Sequence, residues 1–121
     1  MKSFQIRRLV VLSAVALAAA ATQAEAHARL VSATPIAEST VAPTRIITLR
    51  FSEELAPKFS GAELMQATGS MTPATSTVKD GKVIELTTQA PLQHGSYMVM
   101  WHAVASDDGH KTKGSFNFTV R

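Results

Sequence analysis

The sequence contains no cysteine among its 121 residues. Disulfide bonds, thiolate metal sites and catalytic thiols are therefore excluded. Aromatic residues are also scarce, at 6% of the chain, with one tryptophan and one tyrosine. A domain of this composition must be stabilised by an aliphatic core without covalent cross-links, and a β-sandwich of about 100 residues can form such a core.

A strongly basic domain is also lacking once the N-terminal segment is set aside. The full chain carries a formal net charge of +3, but residues 27–121 contain nine Lys and Arg against eight Asp and Glu, and 9 − 8 = +1. Because no basic stripe remains, the sequence gives no support for nucleic-acid binding.

The chain has one long hydrophobic run, residues 9–21, near its start. Three basic residues precede this run: Lys2, Arg7 and Arg8. The run is shorter than the about 20 apolar residues of a membrane-spanning helix, and Ala24-Glu25-Ala26 follows it as a small-x-small cleavage site. We therefore predict that residues 1–26 are a signal peptide cleaved after Ala26, rather than a retained anchor. Arg7-Arg8 weakly suggests twin-arginine export, but its neighbours favour the general route.

Cleavage at this position makes His27 the first residue of a mature domain, residues 27–121. A free N-terminal histidine offers its α-amino nitrogen and its ring Nδ1 to one metal ion and closes a six-membered chelate. An internal histidine offers an amide instead of the amine. His27 is therefore a candidate metal ligand; the alternative is that the peptidase merely cuts before a histidine.

Alternating apolar residues predict strands through most of the mature domain. The clearest pattern places Phe116, Phe118 and Val120 on one face. Other strands are predicted at 28–33, 45–51, 61–68, 82–88 and 97–104, the last buried on both faces with Trp101 in the core, while 69–77 is typical of turns. Asp80-Gly81 between two strand-like runs predicts a hairpin. Six or seven short strands predict an all-β sandwich or Greek-key barrel.

A polar segment, Ser106 to Lys111, separates the last two predicted strands. It contains two carboxylates and an imidazole, those of Asp107, Asp108 and His110. An Asp-x-His pair in a loop is a metal-ligand pattern only if other ligands arrive from elsewhere in the fold. His27 at the other end of the domain is the candidate for that role.

Three segments of the mature domain resemble the CopC-type periplasmic copper-binding proteins of copper resistance and homeostasis. They are HARLVSATPIAEST, ITLRFSEEL and WHAVASDDGHKTKGSFNFTV, and the resemblance extends over essentially all of residues 27–121. It implies a small seven-stranded Greek-key β-barrel or sandwich, related to cupredoxin and immunoglobulin-like folds. The resemblance also implies that Cu(II) is held between the N terminus and the late polar loop.

The same resemblance implies that the Cu(II) ligands are the amine and ring of His27, Asp108 and His110. Imidazole, amine and carboxylate donors in a tetragonal set suit Cu(II). Similar sequences usually have one residue fewer between the Trp and the Asp-x-His, so Asp107 competes with Asp108 for the carboxylate position. Asp108 is preferred because it alone stands two residues before His110.

Other metal-binding and catalytic candidates are weaker. The Met-rich Cu(I) loop of some family members has no counterpart, since the methionines are scattered and core filling best explains Met98 and Met100. His94 is expected in a solvated turn. His102 is expected to pack beside Trp101, or else to orient a ligand. The adjacent carboxylates of Glu53 and Glu54 diverge, which favours a solvated pair over acid–base catalysis.

The leading hypothesis is a monomeric periplasmic protein without enzymatic activity that binds Cu(II) for copper homeostasis and resistance. The resemblance suggests that it buffers copper or delivers it to a separate CopD-type inner-membrane copper transporter. The alternative is a copper monooxygenase or oxidase, because lytic polysaccharide monooxygenases also bind copper through an N-terminal histidine. A domain of this size leaves little room for their flat polysaccharide surface. A third hypothesis is a metal-free interaction module.

Overall fold

In the computed structural model, residues 27–121 are described; the predicted signal peptide and its cleavage site lie outside them. These residues form nine β-strands. The strands are β1 (Leu30–Thr34), β2 (Thr40–Val41), β3 (Ile46–Phe51), β4 (Gly61–Gln66), β5 (Met71–Thr72), β6 (Thr75–Lys79), β7 (Val83–Thr87), β8 (Gly95–Val104) and β9 (Lys111–Val120). Residues 27–121 contain no helix with the length and apolar character needed to span a membrane.

The strands form two sheets, with the orders β1-β3-β7-β6 and β2-β9-β8-β4-β5. Neighbours are antiparallel except β2 and β9, which run parallel. The chain crosses repeatedly between the sheets, as in a Greek-key sandwich. Two of the strands, β2 and β5, have only two residues, so seven longer strands form the body of the fold. The predicted all-β, seven-stranded architecture is confirmed.

The core lies between the inward faces of the two sheets and follows the period-two pattern of the sequence. On β3, Ile47 is 1% exposed and Leu49 is fully buried, whereas Ile46, which breaks the alternation, is 49% exposed. On β9, Phe118 is buried and stacks on Tyr97 of β8 with ring centroids 5.6 Å apart. Each large apolar side chain removed from water in this way stabilises the fold by about 1.5–3 kcal/mol.

The predicted turn region at residues 69–77 is wrong in part, because it contains β5 and the start of β6. The β6 residues are mostly exposed Ser, Thr and Lys, so no apolar alternation marks the strand in the sequence. It forms because β7 provides a complete antiparallel partner from Thr75↔Thr87 to Lys79↔Val83. The predicted Asp80-Gly81 hairpin connects these two strands.

The prediction that β8 is buried on both faces is also wrong. Tyr97 and Val99 point into the core, whereas Met98 and Met100 are half-buried on the outer face of the sheet and do not belong to the core. Core filling therefore does not explain these two methionines. Trp101 is half-buried and packs against the core, with its ring 5.1 Å from that of Phe51 in an edge-to-face contact.

Candidate metal centre

The Asp-x-His segment lies in the loop that connects β8 to β9. This loop is closed at its base, where Ala105 N–H donates to the carbonyl of His110 at 3.1 Å and Gly109 N–H donates to the carbonyl of Ala105 at 3.0 Å. Gly109 has a φ of 72°, in the left-handed region that glycine adopts without steric cost. The loop therefore holds a defined turn with Asp108 and His110 on either side of the glycine.

Asp108 and His110 make two hydrogen bonds within this turn. The backbone N–H of His110 donates to Asp108 Oδ1 at 3.1 Å, and His110 Nδ1 lies 3.0 Å from Asp108 Oδ2. The backbone hydrogen bond is the main reason that the pKa of Asp108 is lowered, and the neighbouring imidazole lowers it further. The carboxylate is therefore ionised at neutral pH.

His27 meets this pair from the opposite end of the domain. Its ring centroid lies 4.6 Å from that of His110, with the two ring planes inclined at 62°. Both side chains are exposed to solvent. The fold thus brings together two predicted ligands that are far apart in the sequence, with the third, Asp108, hydrogen-bonded to one of them.

Residues 52–55, between β3 and β4, connect the N-terminal segment to the loop. Ser52 N–H donates to the carbonyl of Arg29 at 2.9 Å. Two residues further, the carbonyl of Glu54 accepts a hydrogen bond from Ser106 N–H in the loop at 2.9 Å. One short segment therefore fixes both sides of the candidate centre, a role that no motif in the sequence indicates.

The other candidate residues lie apart from this centre or contact none of its side chains. Asp107 is exposed, and within the loop it is Asp108 that contacts His110. His94 is exposed just before β8, and the ten residues of that strand, at about 3.3 Å each, separate it from the loop. Glu54 is exposed near Gly81.

His102 is exposed on the outer face of β8. Its ring lies over Gly61 of the neighbouring strand β4 and borders a groove formed with Phe59 and Lys113. The methionines, which are scattered in the sequence, align on this face. The strand register places Met65 opposite both Met71 and Met98, in one row across β5, β4 and β8.

The candidate ligands are close but are not assembled around one point. Among residues 27–121, no three His, Asp or Glu side chains form a group arranged to hold a metal ion. The Asp108 carboxylate is directed at His110 Nδ1 instead of at a common centre with His27. Binding an ion with all three residues therefore requires a local rearrangement of these exposed side chains.

The donor chemistry and spacing of the pair nevertheless fit a tetragonal ion. Two cis ligands at metal–ligand distances of about 2.0 Å lie about 2.8 Å apart. The observed separation of Asp108 Oδ2 and His110 Nδ1 is 3.0 Å. Both atoms can therefore bind one metal ion once the His110 ring turns, so that Nδ1 points at the ion instead of at Asp108.

Comparison with known proteins identifies the family. The family model for the CopC domain matches residues 30–121. The chain belongs to the CopC family. Copper resistance protein C of Xanthomonas campestris pv. juglandis is 38% identical over 128 residues, covering 96% of this chain and 95% of that protein. Copper resistance protein C of Pseudomonas syringae pv. tomato is 42% identical over 106 residues, covering 81% and 83%.

A solved structure of the family has the same fold. PcoC, a methionine-rich copper resistance protein from Escherichia coli, is 38% identical and superposes with a TM-score of 0.73. The match covers 79% of this chain and 100% of the PcoC chain. The CopC resemblance predicted from the three sequence segments is therefore confirmed.

Proposed function

We propose that this CopC-family chain is a periplasmic protein that binds Cu(II) as cargo in copper resistance. The observation that carries the proposal is the contact of the His27 ring with His110, itself paired with Asp108. Relatives that match most of the chain are named copper resistance proteins. None of those described above is named an oxidase or a monooxygenase, so the enzymatic alternative receives no support.

Each of the three residues has a distinct part in the proposed centre. His27 provides a chelating amine and ring nitrogen, and His110 provides a second imidazole. Asp108 provides a carboxylate that is already ionised and balances part of the charge of Cu(II). This set of nitrogen and oxygen donors suits Cu(II) better than Cu(I), which prefers thioether and thiolate sulfur.

The proposal requires proteolytic maturation. Only cleavage after Ala26 converts the backbone nitrogen of His27 from an amide into an amine that can bind a metal ion. In this proposal residues 1–26 direct export to the periplasm, and their removal as a signal peptide then frees the amine.

The exposure of the centre supports a role in buffering or transfer of copper. The side chains of His27, Asp108 and His110 are all exposed, so a partner can approach a bound ion without opening the barrel. A separate CopD-type membrane transporter is the partner we propose for delivery.

The test combines mass spectrometry with copper titration. The exported protein should begin at His27. Its Cu(II) affinity, measured by competition with a chelator, should fall at least about a hundredfold in the variant His110→Ala, since a lost ligand cannot be replaced by solvent at equal strength. The matched control His94→Ala removes an exposed histidine at the opposite end of β8 and should bind like the wild type. Equal affinities of the two variants would contradict the proposed centre.

A further inference from the structure

We infer that the hydroxyl groups of Ser52 and Thr112 act as a clamp that holds the N-terminal arm in place and thereby sets the affinity for copper. The arm is the dipeptide Ala28-Arg29, which directly follows His27. The inference rests on the proposed function, and it assigns Ser52 and Thr112 as positioning residues that need not touch the ion.

The arm lies before the strand ladder and is held by these two side chains together with one backbone bond, from Ser52 N–H to the carbonyl of Arg29 at 2.9 Å. The pairing of β1 with β3 begins at Leu30, opposite Phe51. Before that point, Thr112 Oγ1 donates to the carbonyl of Ala28 at 2.8 Å, and Arg29 N–H donates to Ser52 Oγ at 3.0 Å. The bond to the Ala28 carbonyl is partly buried, and because an unpaired carbonyl is costly when it is removed from water, this bond in particular favours the docked arm.

The side chain of Ala28 adds an apolar contact to these hydrogen bonds. It is 1% exposed and belongs to the core, although its neighbours His27 and Arg29 are both exposed. The arm is thus anchored at one small buried residue and at the peptide group that follows it, whose carbonyl and N–H are each bound by one hydroxyl. This arrangement keeps the exposed His27 ring beside that of His110 and fixes where the backbone of His27 enters the centre.

Both hydroxyls belong to segments that also hold the β8–β9 loop in place. Thr112 is two residues beyond His110 on β9. Ser52 is two residues before Glu54, whose carbonyl accepts the hydrogen bond from Ser106 in the loop. The clamp therefore connects His27 to His110 by two independent routes. One runs along β9 from Thr112, and the other runs from Ser52 through Glu54 to the loop.

A docked arm strengthens binding because the chelating histidine is in place before the ion arrives. If the arm is docked in only a fraction of the molecules, the apparent dissociation constant rises by the inverse of that fraction. Loss of one neutral hydrogen bond changes an equilibrium by about threefold to tenfold. We therefore expect Thr112→Val and Ser52→Ala each to weaken Cu(II) binding by up to about tenfold, and the double variant to weaken it further.

The experiment uses the mature chain beginning at His27 and measures two quantities. The first is the Cu(II) dissociation constant from competition titration. The second is hydrogen exchange of the Arg29 amide in the metal-free protein. The Arg29 N–H bonds to Ser52 and not to Thr112, so faster exchange in Thr112→Val reports release of the whole arm. Thr112→Ser keeps the hydroxyl and should restore both quantities. The control Thr119→Val makes the same change near the far end of β9 and should resemble the wild type.

The outcomes separate the clamp from the proposed function. Wild-type affinity in Thr112→Val with unchanged Arg29 exchange overturns the clamp alone. If the wild type itself fails to bind Cu(II), the proposed function is wrong, and so is the proposed effect of the clamp on copper affinity. Exchange at the core amide of Leu49 should be unchanged in Thr112→Val. Faster exchange there as well would show general destabilisation and would also overturn the inference.

Discussion

Two hairpins of this molecule contain the same dipeptide, Asp-Gly, and use it differently. Asp80-Gly81 connects β6 to β7, and both residues have positive φ, 51° and 75°. Asp108-Gly109 lies in the loop between β8 and β9, where the glycine has a φ of 72° and the aspartate is not in the left-handed region. The first aspartate is part of the turn backbone, whereas the second directs its carboxylate to the ring of His110.

The difference between the two turns comes from loop length and from what reaches each loop. The first turn is tight, since Lys79 pairs with Val83. The second spans residues 105–110, because Val104 pairs with Lys111. The longer loop has room for an aspartate side chain to turn back on a histidine, and the N-terminal arm arrives beside it. An Asp-Gly dipeptide therefore predicts a turn, and only its surroundings indicate a site.

A change in pH should distinguish the two turns most strongly, because only the β8–β9 turn belongs to the proposed copper centre. Because Cu(II) competes with protons for amine and imidazole nitrogens, affinity should fall more than about a hundredfold from about pH 7.5 to 5.5. The lowered pKa of Asp108 means that any stability it contributes is present above about pH 4 and is lost below that, as pH falls through its folded-state value. Copper titrations and thermal melts across this range should thus show lost binding with an intact fold. A flat affinity profile would contradict the centre.

The N-terminal arm provides a second comparison of the two turns, because it reaches only the β8–β9 loop. Four glycines added before His27 turn its amine into an amide and place the new amine too far away to close the same chelate, which should lower Cu(II) affinity by about a hundredfold. The same addition after Arg121 is the control and should have no effect. Chelator competition measures both forms. Affinities that agree within about threefold would remove the amine from the proposed ligand set.

The sequence predicted the loop and the strands that carry their own apolar pattern. Alternation located β3 and β9, and Asp-Gly located the β6–β7 hairpin. It could not locate β6, whose exposed Ser, Thr and Lys side chains form a strand only because β7 is next to them. The sequence also could not show which face of β8 is buried against the other sheet, because apolar side chains lie on both faces.

The candidate centre was predictable as a set of residues but not as an arrangement. His27 and His110 follow from the predicted cleavage site and from the Asp-x-His spacing. Ser52 and Thr112 carry no signal in the sequence, because a hydroxyl becomes significant only when a distant backbone group packs against it. The contact between Asp108 and His110 likewise depends on the turn geometry at Gly109.

Exchanging the two aspartates for asparagine compares the turns directly. Asp108→Asn removes a charged donor and should weaken Cu(II) binding by about tenfold, since an amide is a poorer copper ligand than a carboxylate. Asp80→Asn should leave copper affinity unchanged, because asparagine tolerates the left-handed conformation found there. Parallel titrations of the two variants measure the difference. Equal losses in both would mean that charge in general, and not this loop, holds the ion.

The two glycines provide the smallest and most local comparison. A Cβ in the left-handed region costs about 1 kcal/mol, so Gly81→Ala and Gly109→Ala should each lower the free energy of unfolding by about that amount. Urea denaturation followed by Trp101 fluorescence measures this effect. Copper affinity should respond differently, because strain at Gly109 displaces Asp108 relative to His110, whereas Gly81 touches neither residue. Gly109→Ala should therefore bind Cu(II) several-fold more weakly than Gly81→Ala at the same loss of stability. The reverse order would place the ion away from the β8–β9 loop.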